Sequence, residues 1–229
     1  MKVTAIVLAA GKGSRMNSST PKQYLSLLGK PVLFYSLQAF EKSKVDEIIL
    51  VTGSGEQEYC KKEIVEKYQL HKVMHIVEGG RERYHSVYHG LLAAEGADYV
   101  MIHDGARPLV STEVINFAME VVTAKGACVV GMPVKDTIQY VDETGTICAT
   151  PDRSRIWIAQ TPQCFSYEVA LSSYNKVISA EDTSVTDDAM VVQRYGNVQS
   201  VMLEGGYENI KVTTPEDILI AECFLKKCE

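Results

Sequence analysis

The chain has 229 residues, 46% of them apolar and 23% charged, which suits a folded domain with a sizeable core and excludes disorder. Its net charge of −6 argues against broad binding to nucleic acid or an anionic membrane, since both partners need a basic face. The six cysteines form no CxxC pair and no Cys/His metal spacing, and the N-terminus is too short in apolar residues for a signal peptide or membrane span. The expectation is a soluble cytoplasmic protein with free thiols.

Val3 to Ala9 is a continuous apolar run that ends in glycines, the pattern of a buried strand feeding a loop. Leu33, Leu37 and Phe40 recur at helical spacing after Pro31. Glu47 to Thr52 reads as a second strand, a polar helix follows to about Tyr68, and Lys72 to Val77 reads as a third strand. Val87, Leu91 and Ala94 mark a helix, Asp98 to His103 a fourth strand, and Val114, Ala118 and Val122 another helix before a fifth strand at Ala127 to Met132. Strands alternating with helices over short connections predict parallel pairing with right-handed crossovers. The expected fold is therefore α/β, a three-layer sandwich around a mostly parallel, Rossmann-like sheet. Functional groups should collect where strands end at their carboxyl side.

After Pro133 the pattern changes. The stretch DTIQYVDETGTICAT reads as two short strands around Asp142-Glu143-Thr144-Gly145, a hairpin turn, with the second strand continuing through RIWIAQ. An inserted hairpin cannot bury both faces on its own sheet and is marginal alone, so it reads as an arm at about 136–160 that packs on a second subunit; folding back on its own domain is the alternative. VQSVMLEG resembles a last strand, and Thr214-Pro215-Glu216-Asp217 starts a helix with a hydroxyl N-cap, proline at the first position and acids in the first turn. With no repeat or linker, residues 1–229 read as one domain carrying an arm.

The loop after the first strand, LAAGKGSRMNSSTPKQYL, holds Lys12, Arg15 and Lys22 with no acid among them. It is not a P-loop, because Lys12 is not followed by Ser or Thr, and it is not a dinucleotide fingerprint, because Met16 stands where a third glycine is needed. Gly11 and Gly13 let the backbone approach a ligand, successive N–H groups form an anion nest, and the three cations suit a polyphosphate better than one carboxylate. A glycine turn with solvated cations is the plainer alternative.

The ordered set LAAGKGSRM, PKQYL, GGRERYHSV, HDGARP, PVKDT, QTPQCF, TDDA and NIKVTTPEDI resembles the sugar-phosphate nucleotidyltransferases. More narrowly, it is similar to the 2-C-methyl-D-erythritol 4-phosphate cytidylyltransferase family of the non-mevalonate isoprenoid pathway, over nearly the whole chain. The resemblance implies transfer of CMP from CTP to that sugar phosphate, with release of pyrophosphate and with Mg²⁺ or another divalent cation on the triphosphate. It implies Arg15 and Lys22 as the catalytic cations, and Ala9, Ala10, Gly11, Gly13, Gly80, Ser86 and Asp104 around the nucleotide. The acceptor would be met by Arg107, Thr137, Arg153, Thr161, Thr186 and Lys211, in a homodimer whose arms interlock. No residue is assigned as a metal ligand. Arg81 and Gly105 depart from the family pattern. His103 reads as a structural strand-end residue, Arg83 as a solvated cation at a helix start, and Asp187 and Asp188 as either a helix N-terminus or functional acids. The phosphate nucleophile is already anionic, so no strong general base is required. A ribitol 5-phosphate cytidylyltransferase shares several of these motifs, and a nucleotide-binding module without turnover is the alternative from another class. A Rossmann dehydrogenase is disfavoured by the missing glycine.

Overall fold

The computed structural model describes residues 1–11 and 20–227. In chain order its elements are β1 (Val3–Ala9), β2 (Ser26–Leu27), β3 (Lys30–Pro31), α1 (Val32–Lys42), β4 (Glu47–Thr52), α2 (Gln57–Cys60) with a π-helical continuation at Lys61–Glu66, β5 (Val73–Glu78), α3 (Arg83–Ala93), β6 (Tyr99–Asp104), α4 (Thr112–Lys125) and β7 (Ala127–Pro133). Then follow β8 (Tyr140–Val141), β9 (Ile147–Ala149), β10 (Trp157–Ser166), α5 (Tyr167–Ala180), α6 (Asp188–Gly196), β11 (Val201–Glu204) and α7 (Pro215–Lys227).

Seven strands form the main sheet in the order β11-β7-β10-β6-β1-β4-β5. Every neighbouring pair is parallel except those of β10, which runs antiparallel to both β6 and β7. The strands are apolar on both faces because helices cover both. Val3, Ala5 and Val7 of β1 join Leu33, Leu37 and Phe40 of α1 and Ile115, Ala118 and Val122 of α4 on one side. Ile6 points the other way, to a cluster with Val87 and Leu91 of α3, Tyr174 and Val177 of α5 and Val191 of α6. This is the expected three-layer α/β sandwich, and the alternation along one strand is the period-2 geometry that builds it. A third, smaller cluster of Leu27, Val32, Val212 and Ala221 seats α7. Among the described residues no helix is long and apolar enough to cross a membrane.

One sequence expectation is corrected. The second hairpin strand does not run on into RIWIAQ: β9 stops at Ala149, and a 3₁₀ turn at Arg153–Arg155 intervenes. Asp152 caps that turn, its Oδ1 accepting from the Ser154 N–H and hydroxyl at 3.0 and 2.7 Å. The segment beyond belongs to β10, which enters the centre of the main sheet. Its polar letters, Gln160, Thr161 and Gln163, disguise a strand that is buried from Gln160 to Phe165. Pro162 cannot donate to a ladder, and the pairing with β7 breaks register between Ala159 and Gln163 around it.

α7 starts at Pro215 with acids in its first turn, as read. Asp217 supplies the acceptor, taking hydrogen bonds from the Thr213 and Thr214 N–H groups at 2.8 Å each and from the Thr213 hydroxyl at 2.9 Å. The hairpin itself forms as read. Asp142 Oδ1 accepts from the N–H groups of Thr144 and Thr146, and Gly145 adopts φ +83°, which costs a glycine nothing. Tyr140, Val141 and Ile147 of this arm are all more than half exposed.

Candidate active site

Parallel strands bring their carboxyl ends to one edge, and there β1, β4, β5 and β6 surround a cavity of about 870 Å³. Backbone dominates two of its walls. Ala9, Ala10 and Gly11 leave β1 on one side, and Gly79 and Gly80 leave β5 on another. A Cβ at Gly79 would stand 2.5 Å from that of Ala10 and 2.8 Å from Ser86 Oγ, so the closeness of the two walls depends on the missing side chain. Ser86, buried in the first turns of α3, accepts from the Gly80 N–H at 3.1 Å and holds this loop in place. Gln23 is buried beneath the β1 wall and donates to the Ala9 carbonyl at 2.6 Å. That bond ties the Lys22–Tyr24 turn to the strand end and puts Lys22 on the cavity lining. Tyr24 anchors the same turn from behind, donating to Glu56 Oε2 at 2.7 Å.

Asp104 ends β6 at the cavity floor, ringed by three cations. Lys211 Nζ lies 2.8 Å from Oδ2, Arg83 Nε 3.3 Å from Oδ1 and Arg107 Nε 3.7 Å from Oδ2. Burial would raise the pKa of this carboxyl, but the charges of Arg83, Lys211 and Arg107 more than reverse that and hold it far below the usual carboxylate range. The group is a fixed anion inside a positive cluster. Lys211 points inward because its neighbour Val212 is fully buried in the α7 cluster.

The cavity thus collects Ala9, Ala10, Gly11, Lys22, Gly80, Ser86, Asp104 and Lys211 of the residues singled out in the sequence. Arg15 and Gly13 lie outside the described residues, as does Lys12. Arg107 is set just behind the floor, its Nη1 donating to the Asn209 carbonyl at 2.8 Å. Thr161 is buried in β10, with its hydroxyl on the Asp104 N–H and His103. Thr137, Arg153 and Thr186 are exposed and do not line the cavity. Arg153 Nη1 donates to the Lys135 carbonyl within the arm at 2.9 Å.

Arg83 is not the solvated cation the sequence suggested. Its Nη1 and Nη2 grip both oxygens of Asp188 at 2.6 and 2.8 Å, while Nε turns to Asp104. Asp188 has no exposed surface and also accepts from the Tyr174 hydroxyl. Burial opposes the charge on Arg83, but Asp188 and Asp104 keep it firmly protonated. Asp187 does cap α6, accepting from the Met190 N–H at 2.8 Å, so the two adjacent acids divide the roles of cap and ion pair. The one sequence signal for this pair was two acids in TDDA where a cap needs one. At Gly105 an added Cβ would stand 2.9 Å from the Leu8 carbonyl oxygen and 2.7 Å from Leu33 Cδ1. The missing side chain therefore lets the 104–107 turn pack closely against β1.

A family model described as 2-C-methyl-D-erythritol 4-phosphate cytidylyltransferase matches residues 3–227. The chain belongs to this cytidylyltransferase family. Relatives of that name from Lachnoclostridium phytofermentans and Lachnospira eligens are 49% and 51% identical to it. The first alignment covers 99% of this chain and 97% of the relative, the second 97% and 99%. Among solved structures, 4-diphosphocytidyl-2C-methyl-D-erythritol synthase from Anaerococcus prevotii superposes with a TM-score of 0.86 at 31% identity, covering 98% of this chain and 96% of that one. The cytidylyltransferase from Thermus thermophilus superposes with a TM-score of 0.79 at 27% identity, covering 99% and 100%.

Proposed function

We propose that the protein transfers CMP from CTP to 2-C-methyl-D-erythritol 4-phosphate and releases pyrophosphate, a step of the non-mevalonate isoprenoid route. The observation that carries this reading is the cavity at the strand ends, with walls of bare backbone and with Lys22, Arg83 and Lys211 on its lining, in a chain whose residues 3–227 match the family. Backbone groups of Ala9, Ala10, Gly11 and Gly80, with Ser86 behind them, suit the hydrogen-bonding edge of a flat pyrimidine. Gly13, Arg15 and Lys22 would enclose the triphosphate tail. Lys22 then stabilises the charge that develops on the α-phosphoryl oxygens as the acceptor phosphate attacks, and positioning with electrostatics suffices for such a transfer. Asp104, fixed as an anion, can accept from a sugar hydroxyl. Arg107 and Lys211 supply the positive field for the acceptor phosphate, and Thr137, Arg153 and Thr186 complete its site from exposed positions.

A divalent cation such as Mg²⁺ fits this donor set. Mg²⁺ is usually held by one or two carboxylates plus substrate phosphates rather than a protein cage. Among the described residues no group of three or more acids, histidines or cysteines could form such a cage, and both Asp104 oxygens already face cations, so the substrate phosphates would hold the ion. Bound there, the cation would neutralise phosphate charge.

Three features favour a homodimer built through the arm at 136–160: its exposed apolar side chains, its hydrogen bonding to itself, and acceptor-site candidates Thr137 and Arg153 standing clear of their own cavity. The five described cysteines are free thiols, which suits the reducing cytoplasm. The test is to supply CTP, Mg²⁺ and the methylerythritol phosphate and to measure pyrophosphate, with ribitol 5-phosphate in parallel. Pyrophosphate with the first acceptor is the expected outcome. Turnover only with ribitol phosphate would transfer the assignment to that acceptor, and CTP binding without any turnover would leave a nucleotide-binding module.

A further inference from the structure

Behind the cavity floor a chain of hydrogen bonds runs in one direction. His103 is fully buried at the end of β6, its ring against that of Phe40 with centroids 5.1 Å apart. Its Nε2 lies 3.2 Å from the Arg107 carbonyl, which can only accept, so Nε2 carries the proton. A ring that carries its proton on Nε2 accepts at Nδ1, where the Thr161 hydroxyl, 2.9 Å away, donates. The same Thr161 oxygen accepts from the Asp104 N–H at 3.1 Å.

This chain braces one turn. It starts at the backbone of Asp104 and returns to the backbone of Arg107, two residues whose side chains face the floor. The turn is closed by the Arg107 N–H on the Asp104 carbonyl at 2.9 Å. Ser36 Oγ reaches the Gly105 and Arg107 carbonyls, both at 3.1 Å. The single proton of Thr161 is used up inside the chain, and the residue is almost wholly buried.

We propose that His103 and Thr161 are positioning residues for the transfer, a neutral imidazole and a committed hydroxyl that together hold Asp104 and Arg107 at the floor of the cavity. Thr161 thereby acts through Asp104 rather than by donating to the acceptor. The inference rests on the transferase reading for its kinetic readout, but its first test needs no substrate.

In ¹⁵N NMR of histidine-labelled protein at neutral pH, with the five histidines separated by a His103→Asn variant, Nε2 of His103 should be protonated and Nδ1 should not. An Nδ1-protonated ring would overturn the proposal. Thr161→Val keeps the shape and removes the hydroxyl. It should lower kcat about tenfold or more, because a buried donor on Asp104 is left unpaired, while CTP affinity stays within about twofold. Thr161→Ser should restore kcat. In the Thr161→Val/His103→Asn double variant the loss should not exceed that of the worse single variant, since both break one chain. Additive losses, or a rise in acceptor KM with kcat intact, would refute a positioning role. Should Thr161→Val fail to fold, the tautomer of the unaltered protein decides alone. Pyrophosphate release by that unaltered protein reports separately on the transferase reading.

Discussion

Lys22 shows how a single residue can be read from both ends. In the sequence it is one of three cations near two glycines. In the fold it sits on the cavity lining because Gln23 and Tyr24 pin the adjoining turn. Lys22→Ala should lower kcat by about a hundredfold, or roughly 3 kcal/mol of transition-state stabilisation, while the melting temperature is unchanged; steady-state kinetics with calorimetry would check both.

Asp188 is the opposite case, since its role is visible only with Arg83 opposite. Asp188→Asn removes the charged partner of Nη1 and Nη2 from a largely desolvated guanidinium and should cost about 3 kcal/mol of stability, read as a lowered denaturant midpoint. Arg83→Lys should also lose activity, because a point charge cannot serve two carboxylates as a planar fork does. His103 carries a pH dependence. Its folded pKa of about 4 lies below the unfolded value of about 6.5, so the unfolded chain binds the extra proton first. The stability it contributes is full above about pH 6.5 and is lost progressively as pH falls towards about 4, to a total near 3 kcal/mol. Unfolding free energies of the wild type should therefore drop over that window more steeply than those of His103→Asn.

Among the elements, the arm and β10 contrast most. The arm's hydrogen bonds are largely internal, such as the Thr150 hydroxyl to Gln139 Oε1 at 2.7 Å and Arg153 to the Lys135 carbonyl. Its apolar side chains face solvent in one copy. Replacing 138–150 with a short polar turn should leave the domain folded by circular dichroism but convert a dimer to a monomer in light scattering. A monomeric wild type would remove the dimer reading outright. The hairpin was legible because Asp-Glu-Thr-Gly between alternating residues has a local cause. β10 was not: its partners lie 24 to 38 residues before it in β7, and still further back in β6. Its polar letters satisfy Asp104, His103, Asn209 and α6 rather than water.

At the scale of the whole molecule, the parallel strands place Gly11, Gly80 and Asp104 on one edge although they are spread over nearly a hundred residues. A ligand that binds only this folded arrangement stabilises it by mass action. CTP with Mg²⁺ at a hundred times its Kd should add about 2.7 kcal/mol to the unfolding free energy, seen as a raised melting temperature that ATP at the same concentration does not reproduce.

What the sequence determined by itself was everything with a local or periodic cause: the strand and helix alternation, the glycine walls, the hairpin turn, and the strand-end position of the chemical residues. The ordered motifs added the family, since eight short patterns in one order are a linear signal. Tertiary structure alone decided that β10 reverses into the centre of the sheet, that Arg83 joins Asp188 to Asp104, and that Thr161 turns inward to His103. Each of these depends on which groups lose water together. Burial makes an unpaired polar group costly and so selects its partner, and that selection acts between residues far apart in the chain.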